Sequence, residues 1–330
     1  MKKYILNFEV TGCMNQCKHC YCYDLKNKRK LIDSDKAIKL AQEFREKTNS
    51  DVSVYLLQEQ TYHPDFLEIV KSLLENNFMN KGSNNLLVTN GFGLVHEKNN
   101  LNRLKEFYST VKVTLFGTKD VHDSFVNRDG HFDEIMMLTK ALKELNVKII
   151  WQIMFLRNNG KDISELINIA KNLEVDHYFV TSEFHYSGHL LSNPNIIPLE
   201  NDFEEIDFKV YELEENRIFP EYKALEFLNG TEDSQIEKVT LDNLYIDSNF
   251  DVYPLSNIEP ESKIGNLEDD MNTIVNMLND NQLLPDKLRE RLALNYKDLI
   301  ESYLDNQSKE MYTAQSLFEK LAYIKQKEIN

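Results

Sequence analysis

All four cysteines of the chain lie within ten residues, in the run GCMNQCKHCYC that begins at Gly12: Cys13, Cys17, Cys20 and Cys22. The spacing C-x3-C-x2-C places three thiolates on one short loop, where they can hold three irons of a 4Fe-4S cluster and leave the fourth iron without a protein ligand. An open iron is a place for substrate or cosubstrate chemistry. A structural zinc site using all four thiolates is the alternative, although closed zinc sites usually draw two ligand pairs from separated segments. A fortuitous group of core cysteines is the third reading.

The surroundings of the loop favour ligation over disulfides. A short apolar run after Lys2 and Lys3 is interrupted by Asn7 and Glu9, too polar for a signal-peptide core, and no later stretch reaches membrane-spanning length. The expectation is a cytoplasmic protein with no membrane association, in a compartment that keeps thiols reduced. Among 330 residues, 38 Lys and Arg stand against 54 Asp and Glu, a net charge of −16, spread along the chain. Such a surface repels phosphate backbones, so no nucleic-acid partner is expected. With 42% hydrophobic residues and only 10 Gly and 7 Pro, the core must come from long helices and strands rather than from many tight turns.

Positioning the loop requires a rigid frame, and the pattern from residue 4 to 176 supplies one. A strand at 4–10 leads into the cysteines. A helix follows, with Ser34 as its N-cap candidate and Ala37, Leu40, Ala41 and Phe44 on one face. Strand 52–57 precedes a helix opened by Pro64, with Phe66, Ile69, Val70, Leu73 and Leu74 on its apolar face. The rhythm repeats through strands at 86–89, 112–116, 148–156 and 178–181, each followed or preceded by an amphipathic helical segment. Strands alternating with helices imply a parallel sheet with right-handed crossovers. Six units fall short of the eight that close a barrel, so an open doubly wound sheet and an incomplete barrel both fit. After Gly188 the rhythm stops. A two-proline linker at 193–198, an acidic helical segment at 202–215, a hairpin at 241–246 and 252–255, and a tail read as helical from Pro285 onward make a small α+β appendage.

CxxxCxxC directly after the first strand of a βα series resembles the radical S-adenosylmethionine (SAM) superfamily. The resemblance implies an α/β fold, a partial (β/α)6 TIM barrel over 1–192 with the C-terminal appendage at 193–330. It implies one 4Fe-4S cluster on Cys13, Cys17 and Cys20, with SAM chelating the open iron and yielding a 5′-deoxyadenosyl radical that abstracts a substrate hydrogen. His19 occupies a position that is often aromatic and near the adenine. The family's Gly-Gly-Glu-Pro run is Leu57-Gln58-Glu59-Gln60 here, followed by His63-Pro64-Asp65. Glu59 matches and is assigned to the SAM amino group, but both glycines, which permit close backbone approach, are missing. Thr89-Asn90-Gly91 matches a frequent family run and places Asn90 among the cofactor contacts. Thr114 stands where a serine often faces SAM, and Gln152 where a polar residue often meets the ribose or carboxylate. The stretch from Val113 to the Gly130-His131-Phe132 turn is also similar to the family. Cys22 is left as a hydrogen-donor candidate or a small apolar neighbour of the cluster, and His185 and His189 as a weakly supported metal pair.

Residues 245–267 resemble the start of the SPASM or twitch domains that follow many peptide-modifying members, with Leu255 where the first auxiliary-cluster cysteine would stand. No cysteine follows Cys22, so the expectation is one cluster, reduced by an external one-electron donor of flavodoxin or ferredoxin type. With the first strand at residue 4, no leader-recognition domain is expected ahead of the barrel. The leading reading is a radical SAM enzyme that modifies a peptide or protein. A radical SAM enzyme acting on a small molecule, with the appendage as a lid, is the second, and a non-catalytic iron-sulfur or SAM-binding protein the third.

Overall fold

Alternating side chains decide how the wall of this molecule is built. In the strand Thr110–Leu115, Val111, Val113 and Leu115 are buried while Thr110, Lys112 and Thr114 remain half-exposed. A period of two thus sends one set toward covering helices and the other toward the opposite face. The computed structural model describes residues 2–10, 12–20, 31–79, 85–182, 189–205, 218–224, 226, 241–254 and 262–329.

Six strands carry the βα series: β1 (Lys3–Glu9), β2 (Asp51–Leu57), β3 (Leu86–Val88), β4 (Thr110–Leu115), β5 (Lys148–Met154) and β6 (His177–Thr181). Between them run α1 (Ser34–Thr48), α2 (Phe66–Glu75), α3 (Phe92–His96), α4 (Lys98–Arg103), α5 (Lys119–Val126), α6 (His131–Glu144) and α7 (Gly160–Asn172). β1 pairs with β2, and β3 through β6 pair in order, every ladder parallel. The fold is the partial (β/α)6 barrel. No ladder joins β2 to β3 among the described residues; the Gln60 side chain bridges the step, its Nε2 lying 3.5 Å from the Val88 carbonyl.

Several boundaries differ from those the sequence predicts. Asp33, not Ser34, caps α1, its carboxylate accepting from Lys36 N at 3.0 Å. The helix assigned to Pro64 starts two residues later, after a 3-10 turn at Gln60–Tyr62. The segment between β3 and β4 breaks into α3, α4 and a 3-10 turn, and α5 precedes the helix expected around Phe132. Of the acidic segment, Glu200–Glu205 is a 3-10 helix and the remainder falls outside the described residues.

The C-terminal region contains α8 (His189–Ser192), β7 (Ile218–Pro220), β8 (Asn243–Ile246), β9 (Asp251–Pro254), β10 (Gly265–Asn266) and β11 (Met311–Thr313). Its hairpin does not stand apart: β8 pairs in parallel with the free edge of β1, Asn7 opposite Tyr245, and β9 and β10 extend the same sheet. The tail read as continuously helical is interrupted. Helices Asp286–Leu292 and Tyr296–Tyr303 are followed by β11, which pairs antiparallel with β7, before the last helix Ala314–Ile329. A three-residue strand has too few positions for periodicity to reveal it.

Among the described residues, three apolar cores result. One lies between β3–β6 and α2, α6 and α7, centred on Trp151, whose indole donates to Thr139 Oγ1 at 3.2 Å. A second joins β1, β2 and α1 to the hairpin and the helix Met271–Asn279. The third packs the last helices, through Tyr296, Leu317 and Phe318, onto Phe116, Phe125 and Met154, and Cys17 rests against it. A buried ion pair fixes this third unit: Glu221, with no exposed surface, meets Lys320 Nζ at 2.7 Å, and Lys320 also lies 3.4 Å from Glu310, which pairs with Arg157 at 3.3 Å. Removing one partner of a buried pair leaves an uncompensated charge. Lys320→Met is therefore expected to cost about 3–5 kcal/mol in urea unfolding, and adding Glu221→Gln to recover most of that loss.

Candidate functional site

Among its described residues the cysteine loop has no ladder of its own and is held from outside. Gln16 N donates to Val126 O at 2.9 Å and Lys18 N to Phe125 O at 3.1 Å, fastening the loop to the end of α5, while Cys20 N closes a turn on Cys17 O at 3.1 Å. Beyond the loop, Ile32 N returns to Val10 O at 3.1 Å, and the buried His63 grips the Ile32 carbonyl through Nε2 at 3.2 Å. The Asp65 N–H donates to His63 Nδ1 at 3.1 Å, which sets the tautomer. Thus the His-Pro-Asp run, read from sequence as a helix opener, also anchors the exit of the loop.

Cys13, Cys17 and Cys20 are half-buried thiols. They do not converge as ligands of one ion, since no three His, Cys, Asp or Glu side chains do so among the described residues. An iron-sulfur cube spreads its ligands over separate irons, so three thiols on one loop fit a cluster without such convergence. Cys22 and His185 lie outside the described residues, and only the backbone of His189, in α8, is described. Leu255 is likewise outside them.

His19 sits against a pair of phenylalanines, its ring 5.0 Å from Phe116 and 5.3 Å from Phe125, which stack on each other at 4.2 Å. Asn90 lies at the loop itself: its Nδ2 donates to Cys13 Sγ at 3.1 Å. Glu59 is 3% exposed and turned toward this same corner. Its Oε1 accepts from the hydroxyls of Thr61 and of Thr89, the latter at 2.5 Å, and its Oε2 from the Asn90 N–H at 2.5 Å. Burial raises its pKa, against the hydrogen bonds that favour the anion. Gly93 lets α3 approach this turn: a Cβ there would run into the Thr61 carbonyl oxygen. Thr114 and Gln152 are register partners on β4 and β5, on the face opposite the helices, with Phe179 next in the row. The Gln152 amide lies 3.6 Å from Met154 Sδ.

The missing glycines are partly explained by the backbone. Gln58 adopts φ +62°, the left-handed conformation that glycine enters without penalty, although it carries a side chain.

Three groups were not singled out from sequence. His122 and His131 form a buried relay: Phe116 N donates to His122 Nδ1 at 3.2 Å, His122 Nε2 to His131 Nδ1 at 2.7 Å, and His131 Nε2 to the Asn90 carbonyl at 2.9 Å. The chain of donors is consistent only with two neutral rings. Burial holds the His122 pKa well below the usual imidazole range and pushes His131 down to about 4. Asp123 builds the turn that presents His131, accepting from Gly130 N at 2.7 Å and Phe132 N at 2.8 Å, with Gly130 at φ +79°. Arg128 is the second: it is ion-paired to Glu134 and lies over the Phe92 ring at 4.5 Å, and burial lowers its pKa against the opposing charges of Tyr62 and Cys13. The third is Glu9 at the end of β1, 4% exposed, which accepts from the Tyr245 hydroxyl of β8. Both histidines fall inside the stretch similar to the family, but their contact with each other depends on the turn between α5 and α6. The Glu9–Tyr245 contact joins positions 236 residues apart, with no local signal.

Residues 10–170 match the model of the Radical SAM superfamily. This part of the chain is a radical SAM domain, the domain of a class of enzymes whose cofactors are a 4Fe-4S cluster and SAM. Among solved structures, SuiB of Streptococcus suis bound to the precursor peptide SuiA is similar over 96% of this chain and 76% of its own, at 16% identity and a TM-score of 0.59. Native anSMEcpe with bound AdoMet and the Cp18Cys peptide is similar over 97% and 95%, at 13% identity and 0.59. Native anSMEcpe with bound AdoMet alone gives 98% and 98%, at 14% and 0.59. These likenesses show the fold. No match is found among curated proteins. No helix among the described residues is long and apolar enough to cross a membrane.

The pKa of Glu9 rises from its ordinary 4.5 to about 7, because burial outweighs the Tyr245 hydrogen bond and Asp247 adds repulsion. Between these values the unfolded chain gives up the proton and the folded chain keeps it, so the contribution of this group to stability falls as pH rises through the window. At about 1.36 kcal/mol per unit the loss amounts to about 3 kcal/mol. Glu9→Gln is expected to remove that slope in urea unfolding measured from pH 4.5 to 7; equal slopes in the two proteins would contradict the assignment.

Proposed function

We propose that this chain is a radical SAM enzyme that modifies a peptide or protein, with Cys13, Cys17 and Cys20 as the ligands of its single cluster. The observation that carries the substrate class is that the likeness to SuiB with SuiA and to anSMEcpe with a peptide spans 96% and 97% of this chain. It therefore runs through the C-terminal region as well as the barrel. In the proposed division, 1–192 forms the barrel and 193–330 the appendage that shapes the peptide-facing side. The acidic surface suits a cationic substrate.

When bound, the cluster and SAM supply reductive cleavage of the sulfonium and hydrogen-atom abstraction. The residues of this chain hold and orient. Asn90 donates to the Cys13 sulfur, and the wall formed by Thr114 and Gln152 offers polar groups toward the barrel interior. The His19 ring, backed by Phe116 and Phe125, offers an aromatic surface suited to adenine. Glu59, enclosed by Thr61, Thr89 and Asn90, shapes the turn. An external one-electron donor of flavodoxin or ferredoxin type, in the cytoplasm, would supply the reducing equivalent once a cluster is bound.

Anaerobic reconstitution with iron and sulfide, followed by SAM and dithionite, should yield 5′-deoxyadenosine. Cys17→Ala should lose both the cluster absorbance and the cleavage. An intact cluster without cleavage would leave a binding protein, and retention of cluster and cleavage by Cys17→Ala would remove the ligand assignment. A mass change on a short peptide encoded beside the gene, dependent on SAM, supports the peptide reading; a change confined to a small metabolite overturns it.

A further inference from the structure

We propose that Asn90 is a positioning residue for the cluster ligand Cys13, and that its side-chain N–H, kept on the sulfur by the His122–His131 relay, raises the reduction potential of the cluster. This rests on the ligand assignment made above.

The case begins with how completely Asn90 is fixed. Its backbone N–H donates to Glu59 Oε2 at 2.5 Å and its carbonyl accepts from His131 Nε2 at 2.9 Å. Its side-chain Oδ1 accepts from Phe92 N at 3.0 Å. With the oxygen committed to that N–H, the amide can only turn its NH2 toward Cys13 Sγ, 3.1 Å away. No rotation of the side chain keeps one bond while releasing the other.

The relay supplies the rigidity. His131 is 1% exposed and His122 has no exposed surface, and each ring accepts at Nδ1 and donates at Nε2. The Phe116 N–H at the end of β4 is thereby connected through two rings to the carbonyl of Asn90 after β3. Two barrel units fix one amide, and the amide fixes one sulfur.

Reduction adds negative charge to a cluster and its thiolates, so a hydrogen bond to a ligand sulfur stabilises the reduced form more than the oxidised form. A donor pinned in this way acts without reorganising when the electron arrives. A side chain that only filled space would leave the potential unchanged.

The test is a redox titration of the reconstituted cluster, without substrate, followed by electron paramagnetic resonance of the reduced state. Asn90→Ala is expected to lower the reduced-to-oxidised ratio at a fixed poise about tenfold, a shift of about 59 mV for one electron. His131→Leu, which keeps Asn90 and all three cysteines, should shift the potential in the same direction, and His131→Gln, which can accept from His122 and donate to Asn90, should restore it. A full cluster at unchanged potential in Asn90→Ala overturns the proposal. If that variant holds no cluster, His131→Leu decides by the same criterion. Loss of the cluster from both variants, with circular dichroism unchanged, overturns tuning in favour of a role in assembly. A wild-type chain that holds no cluster fails the ligand assignment instead.

Discussion

A loop that carries three thiols between a strand and a helix must be held rigid by its surroundings, since its described residues form no hydrogen-bonded ladder, and the rest of the structure answers to that constraint. Its backbone is tied to α5 through Gln16 and Lys18, and its return through Ile32 to Val10. His63 seals the return, and Asn90 reaches the first thiol. Val10, His63 and Asn90 stand just beyond the C-terminal ends of β1, β2 and β3, which is where a barrel of this kind gathers its chemistry, and the end of α5 supplies the remaining anchor. The βα units matter here less as a container than as the means of bringing four separated turns to one loop.

Buried polarity at the site is offset by mutual satisfaction. Glu59, His122 and His131 are nearly inaccessible, yet each oxygen or ring nitrogen has a partner. Burial shifts their protonation toward neutral forms, most clearly in the two histidines. Networks of this kind are costly when half complete and specific when whole. They hold the Thr89-Asn90-Gly91 turn in one conformation, as apolar packing alone does not.

The frame was legible from local pattern. Six strands and the faces of α1, α2, α6 and α7 follow from period-two and period-3.6 runs, and the cysteine spacing marked the site because thiols at those intervals have few other uses. Pairing over distance was not legible. β8 lies on β1, β11 on β7, and Tyr245 on Glu9, and neither partner carries a mark of the other. Gln58 shows another case: the missing glycines pointed to a side chain where close backbone approach was expected, and only the coordinates show that this glutamine takes φ +62°, the left-handed conformation. Glu59 and Asn90 were visible as residues of interest from their match to runs frequent in the family, while the direction in which their polar atoms point required coordinates.

The strand β8 has one further consequence. β1 leaves the ribosome long before β8, and its outer edge, including Asn7, finds its partners only at Asn243 and Leu244. Until that segment emerges, a nascent barrel presents an unpaired edge and an uncovered Glu9 to whatever else is present. The C-terminal region thus closes the first strand of the barrel. The outer edge of the strand that leads into the cysteines stays without these partners until the 236 positions that separate Asn7 from Asn243 have been added to the chain.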